Sequence, residues 1–131
     1  MAKKDESNDF MGLKCWQVSR ELRKSIRNLT KTFPKDEMYR LTDQIIRSSR
    51  SITANIAEGY GRYHYLENIK FCTYSRGSLD ETKDHLTVAL DENFITEKQF
   101  ELYENKITEI KQLINGYIRF LRTQKLVESN T

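Results

Sequence analysis

The chain predicts an all-α protein, an antiparallel up-down-up-down four-helix bundle. Apolar residues recur at steps of three and four along four long segments, the spacing that lays one stripe along a helix. No segment shows the two-residue alternation of a half-buried strand. A single Pro and five Gly in 131 residues leave little to interrupt long helices. Three short connections then make consecutive helices antiparallel neighbours.

The first helix is expected over about residues 13–31. Cys15, Val18, Leu22, Ile26 and Leu29 form its stripe, and Trp16 widens it. Phe33-Pro34 ends it, because the residue before proline avoids helical geometry. Pro34 can open the second helix, where its missing N–H costs nothing, and Asp36 and Glu37 favour that start through the helix dipole. The second helix runs to about residue 59, with Met38, Leu41, Ile45, Ser48, Ile52, Asn55 and Gly59 inward and Gly59 and Gly61 as its stop. The third spans about residues 64–92, with Ile69, Cys72, Ser75, Leu79, Thr82, Leu86 and Ala89 inward. Gly77 interrupts it at roughly 1 kcal/mol relative to Ala. The fourth opens on Thr96-Glu97-Lys98-Gln99, a capping-box pattern. It continues through Phe100, Tyr103, Ile107, Ile110, Ile114, Tyr117 and Leu121 and fades near Leu126. The bundle is thus expected over residues 12–126, with disordered tails at 1–11 and 127–131.

Hydrophobic residues make up 37% and charged residues 31%, enough for one core. No apolar run approaches the roughly 20 residues of a spanning helix, and the start lacks the apolar centre of a secretory signal. A cytoplasmic protein without membrane contact is expected. Cys15 and Cys72 both fall on inner stripes, where they read as small buried hydrophobes rather than a disulfide or a reactive thiol.

Polar residues on a core stripe need partners. In an antiparallel hairpin, residues equidistant from the turn face each other. A turn centred near Arg62 sets Arg47 opposite Gly77, and Gln44 opposite Asp80 and Glu81. Ser48, Gly77 and Ser78 then meet at one level, where the helices are expected to approach closely, with an Arg47–Glu81 ion pair across them. Gln44, Arg47, Ser48, Asn55, Gly77, Ser78 and Glu81 form a polar seam that reads as a register-fixing network rather than a site. Replacing Gly77 by Leu is expected to loosen the bundle.

The block Asn55-Ile56-Ala57-Glu58-Gly59, followed by Gly77-Ser78 and Glu81, is specific. With Trp16-Gln17, Phe33-Pro34, Glu37, Leu41, Gln44, Arg47, Ser51-Ile52 and Phe71, it resembles the bacterial four-helix-bundle family encoded within intervening sequences of large-subunit (23S) rRNA genes. Ser48 stands where that family usually has Ala, and Ser75 where it has a small apolar residue; both swaps keep size and add polarity. The resemblance implies a bundle that assembles as a ring, typically a homopentamer. Similar proteins include the accessory variability protein of diversity-generating retroelements, which binds nucleic acid and a reverse transcriptase through a basic surface. RNA or a reverse transcriptase complex is therefore an implied partner. The rRNA link is a genomic location, which does not itself show RNA binding.

Catalytic chemistry is thinly represented. His64 sits at a turn and His85 on a helix, no Cys/His spacing suits zinc, and no Glu-x-x-His pair suits a di-iron bundle. Ser78 and His85 are too far apart along one helix for a nucleophile–base contact. Gly59-Tyr60-Gly61-Arg62 lacks the lysine and strand of a phosphate loop. No enzyme activity, metal or cofactor is expected.

Charge says more, although a net +3 does not by itself demand nucleic acid. Alternating topology is expected to gather Lys14, Arg20, Arg47, Arg50, Arg62, Lys70, Arg76, Arg119, Arg122 and Lys125 at one end, and Asp80, Glu81, Asp84, Asp91, Glu92, Glu97, Glu101 and Glu104 at the other. Arg23, Lys24 and Arg27 add a basic strip on the first helix. The basic end, with Tyr60, Tyr63 and Tyr65 beside it, can hold phosphates and stack bases. Arg50, Arg62, Arg119 and Arg122 are the expected phosphate contacts. The alternative is a protein-interaction scaffold with no direct nucleic-acid binding.

Overall fold

Four apolar stripes close on one another in the computed structural model, which describes residues 9–129. Helices α1 (Lys14–Thr30), α2 (Asp43–Tyr60), α3 (Tyr65–Asp91) and α4 (Glu97–Ser129) pack in the order α1–α2–α3–α4–α1. The described residues contain no strand. Hydrogen bonds that pair rising with falling numbers, Ser48–Thr82 and Ser51–Ser78 between α2 and α3, fix the antiparallel sense. The most extensive contact is this α2–α3 pair. The core is Val18, Leu22 and Ile26 of α1, Ile45, Ile52 and Ile56 of α2, Leu79 and Leu86 of α3, and Ile107, Ile110 and Ile114 of α4, all buried.

The helix ends show how the sequence sets the fold. Thr96 accepts from the Gln99 amide N–H at 3.1 Å while the Gln99 side chain accepts from the Thr96 N–H at 2.8 Å, the reciprocal capping box. At the end of α3, Asn93 takes φ 62°. The N–H of Phe94 donates to Ala89 at 2.8 Å and that of Asn93 to Leu90 at 3.0 Å, which satisfies the last carbonyls in the Schellman manner.

The second helix starts differently from expectation. After Pro34, residues Lys35–Glu37 form a 3₁₀ turn and Met38–Thr42 a π-helical turn, and regular helix begins only at Asp43. The Glu37 carboxylate accepts from the Leu41 N–H at 3.4 Å, and Arg40 leaves helical dihedrals. The widened turn carries Leu41 into the core and Met38 and Tyr39 out of it, so Met38 is not an inner residue. The folded part also begins before residue 12, because Phe10–Gly12 form a 3₁₀ turn capped by Asp9. Phe10 packs edge-on against Trp16 at 5.2 Å. Likewise α4 continues through Ser129, past the expected limit at 126. The tails expected at residues 1–8 and 130–131 lie outside the described residues.

The α2–α3 seam is built of hydroxyls rather than charges. Ser48 meets Thr82 at 2.8 Å, Ser78 donates to Ser51 at 2.8 Å, and Ser75 donates to the Ile52 carbonyl at 2.8 Å. Asn55 turns back to the Ser51 carbonyl at 2.9 Å. The expected Arg47–Glu81 ion pair does not form: Arg47 lies 3.6 Å from Asp43 on its own helix, Glu81 lies 3.3 Å from His85, and Gln44 is exposed. The register differs from expectation by about one helical turn. The cause is that α3 begins outside the end of α2, so that Gly59 faces Asn68 and Phe71.

That offset also moves the close approach. Gly77 is exposed, with nothing within 4 Å of where a Cβ would stand. At Gly59 a Cβ would meet Asn68 Oδ1 at 2.7 Å, Phe71 Cβ at 2.9 Å and the Asn68 carbonyl at 3.0 Å. Gly59 is thus required for packing, and not as a left-handed stop, since no described glycine has positive φ. Nearby, Asn68 donates to the Tyr117 hydroxyl at 3.0 Å, tying α3 to α4. Cys15 and Cys72 are free and buried; burial pushes their thiols up to about 12 and about 11, which keeps both protonated at neutral pH.

Candidate nucleic-acid interface

A helix repeats its face every three to four residues, so Trp16, Arg20, Arg23, Arg27 and Lys31 share one side of α1. The fold turns this side toward α2. Arg23 donates to Thr53 across the helix pair at 3.1 Å. The guanidinium groups of Arg20 and Arg23 lie 5.6 and 6.0 Å from the centre of the Trp16 ring. Trp16 is itself buried, so it anchors the arginines instead of offering a surface.

Toward the far end of the α1–α2 pair the stripe opens into a groove of about 480 Å³. Arg27, Lys31, Lys35 and Arg50 line it, over an apolar floor that includes Phe33 and Ile46. All four cations are exposed, and none has an ion-pair partner among the described residues. The one acid in the lining, Asp43, is engaged by Arg47 at 3.6 Å. Tyr39, 89% exposed, stands at the edge.

The four arginines expected to contact phosphate do not form one patch. Arg50 lies in this groove, in the first half of α2, whereas Arg62 follows the end of α2 at the opposite end of the bundle. Arg47 also belongs to the beginning of α2 rather than to the basic end. Arg62 is held by Glu58 at 2.9 Å and Glu67 at 4.0 Å, with its guanidinium 4.8 Å from the Phe71 ring centre. It serves the α2–α3 turn first. Arg119 and Arg122 are exposed on the last turns of α4. Among the expected acids, Asp80 pairs with Lys111 at 2.6 Å and Glu104 with Lys83 at 3.0 Å, both between α3 and α4. Cations without an ion pair therefore gather on the α1–α2 side, and not only at one end.

Lys31, Lys35 and Tyr39 are not among the contacts expected from the sequence. The spacing Arg20, Arg23, Arg27, Lys31 was the signal that could have found the stripe. The placement of Lys35 and Tyr39 depends on the irregular turns after Pro34, which periodicity does not reveal.

The described residues bring together no group of three or more metal-ligating side chains. No described helix is long and apolar enough to cross a membrane.

Fold and groove together define an antiparallel four-helix-bundle protein with a cation-lined helix pair on one side. The chain belongs to the family described as 23S rRNA-intervening sequence protein, which matches residues 11–116. It is similar to the crystal structure of a protein of unknown function from the S23 ribosomal protein family of Bacteroides thetaiotaomicron VPI-5482. The two are 28% identical with a TM-score of 0.73, over 79% of this chain and 97% of that one. Comparison with curated proteins gave no match.

Proposed function

We propose that this protein is a cytoplasmic, non-enzymatic, ring-forming accessory module that binds RNA or a ribonucleoprotein through its basic surface, with the α1–α2 groove as the principal contact. A reverse transcriptase carrying its RNA is one such ribonucleoprotein. The observation that carries the reading is four exposed cations, Arg27, Lys31, Lys35 and Arg50, lining one groove whose single acid, Asp43, is held by Arg47. Like charges so placed repel one another and lower stability, a cost that a polyanion reverses. Arg119 and Arg122 supply a second, more distant contact for a long ligand.

The test is anisotropy of a labelled structured RNA titrated with the protein across a salt series. Affinity is expected to fall linearly in log salt with a slope of about −3, the value for four neutralised phosphates. Arg27→Glu with Arg50→Glu should shallow that slope by about 2, and Arg62→Glu should change it little. Absence of saturable binding at low salt overturns the reading and leaves a protein-interaction scaffold.

A further inference from the structure

The groove differs from a plain phosphate track in its floor and its edge. A basic stripe that only follows a backbone needs a row of cations on a polar surface. Here the cations surround an apolar hollow. Phe33 is buried beneath it, Ile46 is half-buried at its side, and Met38 and Tyr39 stand at its mouth, 52% and 89% exposed. The hollow of about 480 Å³ lies within the roughly 300–1,000 Å³ typical of small-ligand sites.

The exposure of Met38 and Tyr39 has a local cause. In a regular helix starting at Pro34, Met38 would continue the inner stripe of Leu41 and Ile45. The π-helical turn at Met38–Thr42 breaks that phase and turns both side chains outward beside the groove. The Tyr39 ring has no aromatic or cationic neighbour among the described residues, so its face is available.

We infer that this hollow is a subsite for one unpaired nucleotide, with the base against Tyr39 and Met38 over the Phe33 floor and its two flanking phosphates at Arg27 and Arg50. An aromatic base carrying a phosphate is the ligand whose two halves match the two halves of the lining. Lys31 and Lys35 meet the neighbouring phosphates. A base inside a duplex has no face to offer here, so the subsite selects single strands, loops and bulges. The inference rests on the RNA-binding reading above and adds to it a preference for unpaired bases.

The experiment compares a labelled single-stranded RNA with a blunt duplex of the same length, using the full chain and its Tyr39→Ala and Tyr39→Phe variants. The single strand is expected to bind more tightly than the duplex. Tyr39→Ala should weaken single-strand binding by about tenfold, as loss of one stacked base does. The salt slope and the duplex affinity should stay unchanged, and Tyr39→Phe should restore single-strand binding. Tyr39 is almost wholly exposed, so neither variant disturbs the core. Equal binding of strand and duplex, or a Tyr39→Ala variant that binds the strand like the parent, overturns the subsite and leaves the RNA-binding reading standing. Failure of both RNAs to bind at low salt overturns both.

Discussion

At the scale of single residues, Gly59 takes the close-approach role that the pattern suggests for Gly77. Gly77 interrupts α3 on an open face, and Gly59 sits where α2 meets α3. Gly59→Ala is expected to lower stability by about 1–3 kcal/mol, because two of the atoms it meets are fixed to the α3 backbone and the third belongs to the amide that holds Tyr117. Gly77→Ala is expected to raise stability by roughly 0.5–1 kcal/mol, because it restores helix propensity without a clash. Urea midpoints of the two variants check both signs. The inner stripes were legible residue by residue: every expected inner position of α1 and α3 is buried. The partners of the polar residues were not. Which hydroxyl faces which depends on how far α3 begins beyond the end of α2, and no local spacing encodes that offset.

At the scale of elements, the termini divide into those written in side chains and those written in backbone. The capping box before α4 reads directly from Thr96 and Gln99, because each side chain completes the other's amide. The end of α3 carries Asn93 where glycine is commoner, and its left-handed conformation is visible only in the fold. Asn93→Gly is therefore expected to raise the melting temperature slightly, by the equivalent of up to about 1 kcal/mol, and Asn93→Val to lower it. Thermal unfolding followed by circular dichroism distinguishes the two directions. The start of α2 was the least legible element. Pro34, Asp36 and Glu37 announce a helix start, but Glu37 binds the amide of Leu41 and delays the regular turn to Asp43.

At the scale of the whole molecule, alternating topology was legible from four stripes and three short connections, whereas the distribution of charge was only half legible. Counting charges by helix end misplaced Arg47 and Arg50, which belong to the first turns of α2. Counting them by helix face brings out the α1–α2 stripe. Assembly is a proposal at this scale. Leu66, Tyr74 and Phe120 are exposed, at 58%, 47% and 55%, and large apolar side chains left outward favour contact between copies. Trp16 and Phe10, which pack on each other, are not available for it. Light scattering is expected to give five times the chain mass of 15.6 kDa, and Phe120→Asp to reduce it without loss of helix content. A monomeric mass for the parent chain at micromolar concentration removes the ring from the proposal.

The hydroxyl seam has a consequence for how this bundle breathes. Ser48, Ser78 and Thr82 each also reach a carbonyl on their own helix: Ile45 at 3.2 Å, Tyr74 at 3.3 Å and Ser78 at 2.8 Å. When α2 and α3 part at those levels, each hydroxyl turns inward to its own backbone and no proton is stranded. Ser75 donates only to Ile52 of the facing helix and is fully enclosed. It is the rivet of the pair, the seam hydroxyl whose proton would lose its partner if the two helices parted.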